Sequence, residues 1–236
     1  MSTVAESLKE FYELEVTPSS IGILYLGYSG LLLRTVNYTL AFDVDELIPR
    51  TYVKNIEKLD LLLFTHGHYD HFEERVSIEL HKLTGAKVMC EESVYNRLKD
   101  KVPDSHLIKA TAGVVTSIDG VSVEVIRGRH VGPIVLYLVE LDEVRIFHGG
   151  DSDYVPLYPR RADIAIVPTG APSPTASPDS AYRTVVDLRP SVVIPVHGKE
   201  SQHRKLESKL KKHYPEVKVQ LVEPFKPLLI SLGEHR

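Results

Sequence analysis

A cluster of three histidines and one aspartate follows directly after the apolar run of residues 61–64. The four residues, His66, His68, Asp70 and His71, lie within six positions. Imidazoles and carboxylates are costly to bury unless a partner binds them. Imidazole nitrogen and carboxylate oxygen are also the ligands that Zn²⁺ and related divalent ions take in proteins. The cluster therefore predicts a metal site.

The spacing within this cluster favours two metal ions over one. In an extended turn, His66 and His68 project to the same side, because they are two positions apart. Asp70 and His71 come where the chain is expected to turn into a helix. The second pair can therefore aim at a different point from the first.

Polar residues of the same chemical types stand at the ends of three later apolar runs. They are His130, His148, Asp151 and His197. Strand ends are where a rigid scaffold presents functional groups, and turn-type residues follow each of these positions. The remaining histidines are expected to be structural or merely exposed; they are His81, His106, His203, His213 and His235.

Short apolar runs separated by glycine, proline and Asn-Tyr or Asp-Gly pairs predict a chain rich in strands. The predicted strands cover residues 21–26, 31–36, 39–44, 61–64, 87–90, 107–109, 113–118, 121–127, 134–141, 144–148, 164–167, 191–196, 217–222 and 228–231. The turns at residues 119–120 and 142–143 are tight, which indicates a β-meander.

Helical spacing of apolar residues predicts the helices. They cover residues 7–15, 92–98, 179–188 and 204–214, with another that carries Val76, Leu80 and Leu83 and ends at Gly85, and a helical turn at residues 56–59. Strands followed by α/β crossovers occur twice, so we predict an α/β fold of two comparable halves that meet near residues 111–116. We treat residues 1–236 as a single domain, with residues 1–19 as an N-terminal helical extension.

Composition narrows the class of protein. The 236 residues carry a net charge of −4 and are 43% hydrophobic, which predicts a globular protein without a basic field for nucleic acid. Cys90 is the single cysteine and excludes an intrachain disulfide; we expect it to be a small buried hydrophobic residue. The N-terminus lacks the apolar stretch of a signal peptide, and no apolar run approaches the roughly 20 residues that span a bilayer. We therefore expect a cytoplasmic protein without a membrane partner.

The segment Thr65-His66-Gly67-His68-Tyr69-Asp70-His71 resembles the H-x-H-x-D-H motif of the metallo-β-lactamase superfamily. His130, Asp151 and His197 follow in the order found in that family. Residues 26–30 and Phe42-Asp43 are similar to the opening hairpin of the branch that contains ascorbate-6-phosphate lactonase and many metal-dependent hydrolases. The resemblance covers roughly residues 20–231.

This resemblance implies a four-layer αββα sandwich with two divalent metal ions. It assigns His66, His68 and His130 to the first ion, Asp70, His71 and His197 to the second, and Asp151 to both. The ions are expected to be Zn²⁺, with Mn²⁺ and Fe²⁺ as alternatives that the same ligands suit. Because residue 68 is histidine and not glutamate, an oxygen-reducing di-iron role is disfavoured.

The implied activity is hydrolysis of an ester, lactone or phosphoester by a hydroxide that bridges ions about 3.5–4 Å apart. Asp70 and Asp151 are the predicted catalytic residues, and Asp70 is placed to handle the proton. Candidate substrate contacts are Arg127, Arg129, His148 and Tyr69, and the two arginines suit an anionic group. His148 is favoured as a hydrogen-bonding support. We expect a small-molecule substrate, and the sequence leaves its charge and the formation of a homo-oligomer open.

Residues 169–176 depart from the branch pattern, in which a polar, histidine-type residue often follows this strand and faces the site. This loop therefore leaves the lactone substrate open, and it either shapes or blocks the pocket. Two alternatives remain at this point. One is a phosphodiesterase or nuclease of the same superfamily, although no long basic insertion is visible. The other is a non-catalytic, metal-stabilised binding protein.

Overall fold

The computed structural model describes residues 3–45, 47–172 and 175–232. The chain divides into two compact units. The first unit comprises Met1–Ala110 and Glu223–Arg236, and the second comprises Thr111–Val222. The boundary adjoins the one predicted from the sequence, so the division into two halves is confirmed.

The described residues contain fourteen strands, five α-helices and one 3₁₀ helix. The strands are β1 (Ser20–Gly27), β2 (Gly30–Arg34), β3 (Thr39–Phe42), β4 (Leu61–Phe64), β5 (Lys87–Cys90), β6 (Leu107–Lys109), β7 (Val115–Ile118), β8 (Val121–Arg127), β9 (Val135–Leu141), β10 (Val144–His148), β11 (Ile164–Pro168), β12 (Val192–Val196), β13 (Lys218–Val219) and β14 (Leu228–Ser231). The helices are α1 (Val4–Glu13), α2 (Glu74–Thr84), α3 (Glu92–Leu98), α4 (Pro178–Leu188) and α5 (Glu200–His213), and the 3₁₀ helix is Arg50–Asn55.

The first unit contains a seven-stranded mixed sheet in the order β14-β1-β2-β3-β4-β5-β6. Strands β14 to β3 pair antiparallel, whereas β3 to β6 pair parallel. Helices α1, α2 and α3 pack on the sheet face that carries Leu62, Phe64 and Val88. Since β3 and β4 are parallel, the residues that follow them leave the sheet at the same edge.

The second unit repeats this plan with the order β13-β12-β11-β10-β9-β8-β7. Strands β7 to β10 form the predicted antiparallel meander, and β10 to β13 pair parallel. The turn residues Asp119, Gly120, Asp142 and Glu143 all have positive φ, as two-residue hairpin turns require. The α/β class, with a mixed sheet and helices in each half, is therefore confirmed.

Local chemistry explains where several helices begin and end. Ser177 accepts a hydrogen bond from the Ser180 N–H and Pro178 occupies the first turn of α4, so that helix is capped as predicted. Gly85 ends α2 in the left-handed conformation. Cys90 is fully buried, as expected. None of the described helices has the length and apolarity needed to cross a bilayer.

Some predicted bounds were wrong. The first helix starts earlier, at Val4, because Thr3 and Glu6 form a capping box. The helical turn predicted at residues 56–59 is an extended segment, and the 3₁₀ helix lies before it. Helix α5 begins four residues early, where the Gln202 side chain accepts from the Lys199 N–H. The strand predicted at 217–222 spans only Lys218–Val219. His235 and part of the loop at residues 169–176 lie outside the described residues.

Candidate metal centre

In the first unit, strand β4 positions the histidine cluster. All four of its residues are buried, and the chain leaves the sheet at Thr65. It then folds back in a turn in which the Phe72 N–H donates to the His68 carbonyl, 3.0 Å away. The Phe72 ring packs edge-on against Phe64, with 5.1 Å between centroids. This packing fixes the segment that carries the ligand-type residues before α2 begins.

Two imidazole nitrogens converge in this segment. Nε2 of His66 lies 3.1 Å from Nδ1 of His68. Two nitrogens bound to one tetrahedral zinc ion, each at about 2.0–2.1 Å, would lie roughly 3.3 Å apart. This distance suits two ligands of a single ion, and the two side chains lie on the same side, as their spacing predicted.

A buried carboxylate orients this cluster. Asp43, the residue after β3, accepts hydrogen bonds from the Thr65 N–H and hydroxyl, each at 2.7 Å. Its Oδ2 also accepts from Nδ1 of His71, at 2.9 Å. A carboxylate that holds the far nitrogen of a metal-binding histidine is a recurrent support in metal sites. The sequence drew attention to Asp43 only as part of a hairpin and missed this role.

The same hydrogen bonds determine which ring nitrogen carries the proton in two histidines. Because the Thr65 hydroxyl donates to Asp43, it accepts from Nδ1 of His66, 3.0 Å away. His71 likewise keeps its proton on Nδ1, where it faces Asp43. Both imidazoles therefore carry an unprotonated Nε2, which is the form that binds a metal.

Acidic residues complete this part of the first unit. Oδ2 of Asp70 lies 3.8 Å from Nε2 of His71, and Asp70 is half-buried. Burial and, to a lesser extent, the charge of Asp70 raise the pKa of the nearby Asp45 carboxyl to about 6, while the Leu47 N–H and His71 act in the opposite direction. Tyr69 is 84% exposed, so its ring is open to solvent next to two ligand-type residues.

In the second unit, three candidate ligands follow strands whose carboxyl ends lie at one edge of the sheet. His130, Asp151 and His197 come after β8, β10 and β12, respectively. Oδ1 of Asp151 lies 2.8 Å from Nδ1 of His197. Asp151 is buried, and His197 has a left-handed backbone with φ of 43°. The sheet topology thus brings Asp151 and His197 together.

An open cavity of about 280 Å³ in the second unit contains two of these ligands. Its described lining is Arg129, His130, Val131, Asp151, Asp153 and Thr175. Arg127, the last residue of β8, is exposed and is not part of this lining. Of the candidate substrate contacts, Arg129 lines this cavity.

His148 is fully buried at the end of β10. Its Nδ1 accepts from the Gly150 N–H at 3.2 Å, within the turn that leads to Asp151. This contact is the kind of support that the sequence favoured for His148.

The structure also identifies a contact that the sequence did not predict. Nδ1 of His203, on α5, lies 2.8 Å from the hydroxyl of Thr169, which follows β11. Burial lowers the pKa of His203 below its ordinary value, although Glu200 and the Gly198 backbone act in the opposite direction. The Thr169 hydroxyl lies against Gly198, where a Cβ would overlap it. The pair of Thr169 and His203 therefore supports the loop that carries His197. The sequence indicated only a structural histidine here.

The donor types suit divalent metal ions. The first unit offers His66, His68, Asp70 and His71, and the second offers His130, Asp151 and His197. Imidazole nitrogens and carboxylate oxygens are present in each unit, and these are donors that Zn²⁺, Mn²⁺ and Fe²⁺ accept. The tautomers fixed by Asp43 agree with metal binding, so the residues present fit such ions.

Comparisons with known proteins place these residues in context. A family model described as a beta-lactamase superfamily domain matches residues 42–198. A UPF0173 metal-dependent hydrolase from Thermococcus kodakarensis is 29% identical over 197 residues, which cover 75% of this chain and 84% of the relative.

Solved structures agree in fold. The metallo hydrolase Igni18 from Ignicoccus hospitalis matches with a TM-score of 0.75 and 21% identity, over 91% of this chain and all of that one. A diphosphatase from the PhnP family matches with a TM-score of 0.62 and 15% identity, over 90% of this chain and 98% of that one. At these identities the likeness concerns the fold.

Proposed function

The chain belongs to the metallo-β-lactamase superfamily and is related to its metal-dependent hydrolases, and from this premise we propose that it is a binuclear metal-dependent hydrolase of esters, lactones or phosphoesters. The observation that carries the proposal is the Asp43 network. It leaves Nε2 of His66 and of His71 ready to bind metal. The buried Asp43 carboxylate accepts three hydrogen bonds, from the Thr65 N–H, the Thr65 hydroxyl and His71. Carboxylates that orient metal-binding histidines in this way are typical of metal sites.

We assign the ligands as the family motif orders them. His66, His68 and His130 would hold the first ion, Asp70, His71 and His197 would hold the second, and Asp151 would be a ligand of both. Two divalent ions would supply Lewis acidity that acidifies water and polarises a carbonyl or phosphoryl oxygen. Zn²⁺ is our first choice for this ligand set, followed by Mn²⁺ and Fe²⁺.

The chain's own residues have separate tasks in this proposal. Asp43 and Thr65 keep the protons of His71 and His66 on Nδ1. The half-buried Asp70 accepts a proton during the reaction, since one of its oxygens faces His71 at 3.8 Å and the side chain retains access to solvent. Arg129 faces the cavity beside Asp151 and is available to bind the substrate.

A panel assay with and without chelator tests this function. The protein is loaded with Zn²⁺, Mn²⁺ or Fe²⁺ and offered lactones, carboxylate esters, thioesters and phosphodiesters. We expect turnover of at least one class, loss of turnover in EDTA, and recovery when metal is restored. His66→Ala should lower kcat by at least about 100-fold, the upper end of what loss of a supporting partner costs, because it removes a ligand itself. The matched control His213→Ala removes an exposed histidine at the end of α5 and should retain activity.

The panel also separates the alternatives. Turnover of phosphodiesters alone would identify a phosphodiesterase. Bound metal without turnover of any class would favour a non-catalytic, metal-stabilised binding protein. Turnover that persists both in EDTA and in His66→Ala would contradict a metal-dependent mechanism.

A further inference from the structure

The cavity of the second unit contains one permanently charged cation among its described lining residues, Arg129. The other charged groups there are the carboxylates of Asp151 and Asp153. Asp151 lies 2.8 Å from His197 and belongs to the proposed metal ligands. The charge that the cavity offers to a bound molecule therefore depends on Arg129 and on the carboxylate nearest to it.

The main chain of Arg129 is fixed from both sides. Its N–H donates to the hydroxyl of Ser152 at 2.8 Å, and its carbonyl accepts from the Asp153 N–H at 2.8 Å. Ser152 is buried and its hydroxyl donates to the Asp153 carbonyl. Since Ser152 follows Asp151 directly, the backbone that carries Arg129 is clamped to the backbone that carries a proposed metal ligand.

The side chain of Arg129 is held much less tightly than its backbone. It is 74% exposed, and its Nη1 lies 3.9 Å from Oδ2 of Asp153, which is too long for a hydrogen bond. Asp153 meanwhile uses Oδ1 to accept from the Tyr154 N–H at 2.8 Å. Within residues 3–45, 47–172 and 175–232, no hydrogen bond of the guanidinium is found. Its donors are therefore available to a bound oxyanion, which arginine can hold through two parallel hydrogen bonds.

We propose that Arg129 binds an anionic group of the substrate, a carboxylate or a phosphate, at a point of the substrate separate from the bond that is cleaved. This inference rests on the proposed function. Its basis is a guanidinium that has a long ion pair with Asp153 but no hydrogen bond among the described residues, on a fixed backbone, in a cavity shared with His130 and Asp151. Thr175 lines the same cavity, but its hydroxyl donates to the Ala176 carbonyl at 3.4 Å, so Arg129 is the donor assigned to the anion. Arg127 is not in the cavity lining and is not the anion-binding residue.

A paired-substrate assay tests the proposal. A neutral ester, p-nitrophenyl butyrate, is compared with the p-nitrophenyl monoester of glutaric acid, which carries a terminal carboxylate, and with a phosphorylated ester of similar length. The readout is the ratio of kcat/KM for the anionic ester to kcat/KM for the neutral ester. This ratio cancels effects on the metal centre, and the two anionic esters distinguish a carboxylate from a phosphate substrate.

We expect Arg129→Gln to lower this ratio about tenfold, as the loss of one charge-assisted hydrogen bond predicts. Arg129→Lys should give an intermediate ratio because it keeps the charge but loses the planar fork. Asp153→Asn should raise the ratio, since it removes the competing carboxylate while its amide oxygen can still accept from Tyr154. Arg145→Gln, which removes an exposed arginine paired with Glu140, is the control and should leave the ratio unchanged.

A binding assay makes the test independent of turnover. Calorimetry on the metal-loaded protein compares glutarate with butyrate; both place one carboxylate at the metals, and only glutarate has a second for Arg129. The wild type should prefer glutarate, and Arg129→Gln should lose that preference. An unchanged preference in Arg129→Gln, or its loss in Arg127→Gln instead, would overturn the assignment. If no substrate class of the panel is hydrolysed yet the glutarate preference depends on Arg129, the hydrolase proposal fails and the anion site stands.

Discussion

At the scale of single residues, Asp43 decides where the protons of two histidines lie. It is fully buried and its backbone is left-handed, with φ of 45°. Its contacts with Thr65 and His71 span 22 and 28 positions of sequence. These contacts form because β3 and β4 are parallel neighbours, so the chain leaves both strands at one edge.

Asp43→Asn is the sharpest test of this role. Asparagine has the same shape and tolerates the left-handed backbone. Its amide nitrogen would face either the Thr65 N–H, which would lose its acceptor, or both the Thr65 hydroxyl and Nδ1 of His71. In the second orientation His71 would have to carry its proton on Nε2, the nitrogen that the metal needs. We expect metal affinity to fall about 10–100-fold, measured by competition with a chelating dye.

The control for this variant is Asp163→Asn. Asp163 accepts from the Arg145 N–H in the second unit and should be neutral for metal binding. Equal metal affinities in wild type and Asp43→Asn would show that Asp43 has no part in holding the metal.

At the scale of elements, the connection between β12 and α5 holds the backbone of His197 in the left-handed conformation, which residues other than glycine rarely adopt. Gly170, after β11, lies so close that a Cβ there would overlap the His197 carbonyl oxygen. Backbone atoms cannot swing aside as the end of a flexible side chain can. The loop after β11 therefore needs glycine at this position.

Gly170→Ala should destabilise the protein by about 2–3 kcal/mol, as overpacking in a fixed backbone does, and should weaken metal binding through His197. The measurements are urea unfolding and metal titration. Gly85→Ala is the comparison variant, because Gly85 has φ of 73° with nothing within 4 Å of its Cβ position. That variant should cost about 1 kcal/mol and leave metal affinity intact. If the two variants behaved alike, the contact with His197 would be unimportant.

His203 gives the same region a dependence on pH. Because burial lowers the pKa of its imidazole, the folded state binds the proton less well than the unfolded chain, whose histidine pKa is about 6.5. Neutral His203 therefore stabilises the folded protein above about pH 6.5. This stabilisation is lost as the pH falls below about 6.5 and through the lowered pKa of the folded state.

His203→Gln should cost about 1 kcal/mol at pH 7.5, the usual net contribution of one hydrogen bond, and progressively less toward pH 5. Urea unfolding at several pH values measures this difference. His213→Gln, at an exposed position of the same helix, is the comparison variant and should change stability at pH 7.5 by less than about 0.5 kcal/mol. A cost for His203→Gln that stays constant or grows as the pH falls would contradict the argument.

At the scale of the whole molecule, the sequence predicted the elements that carry strong local patterns. Strands β4, β5, β6, β8, β10 and β14 were predicted with their observed bounds. In β4, β5 and β10 the reason is a buried apolar run that ends abruptly. Candidate ligands follow β4, β8 and β10, so they could be predicted from the ends of these strands. The hydrogen bonds of Asp43 to Thr65 and His71 could not be predicted from the sequence, because they depend on which strands become neighbours in the sheet. The contact of His203 with Thr169 likewise joins residues 34 positions apart, on different elements.

The central claim is that seven side chains from both units bind one pair of metal ions. Anomalous scattering from crystals of the zinc-loaded protein tests it directly. We predict two peaks about 3.5–4 Å apart, the first bound by His66, His68 and His130, the second by Asp70, His71 and His197, with Asp151 at both. Zinc bound by residues of one unit alone, or His130, Asp151 and His197 bound elsewhere, would contradict the claim.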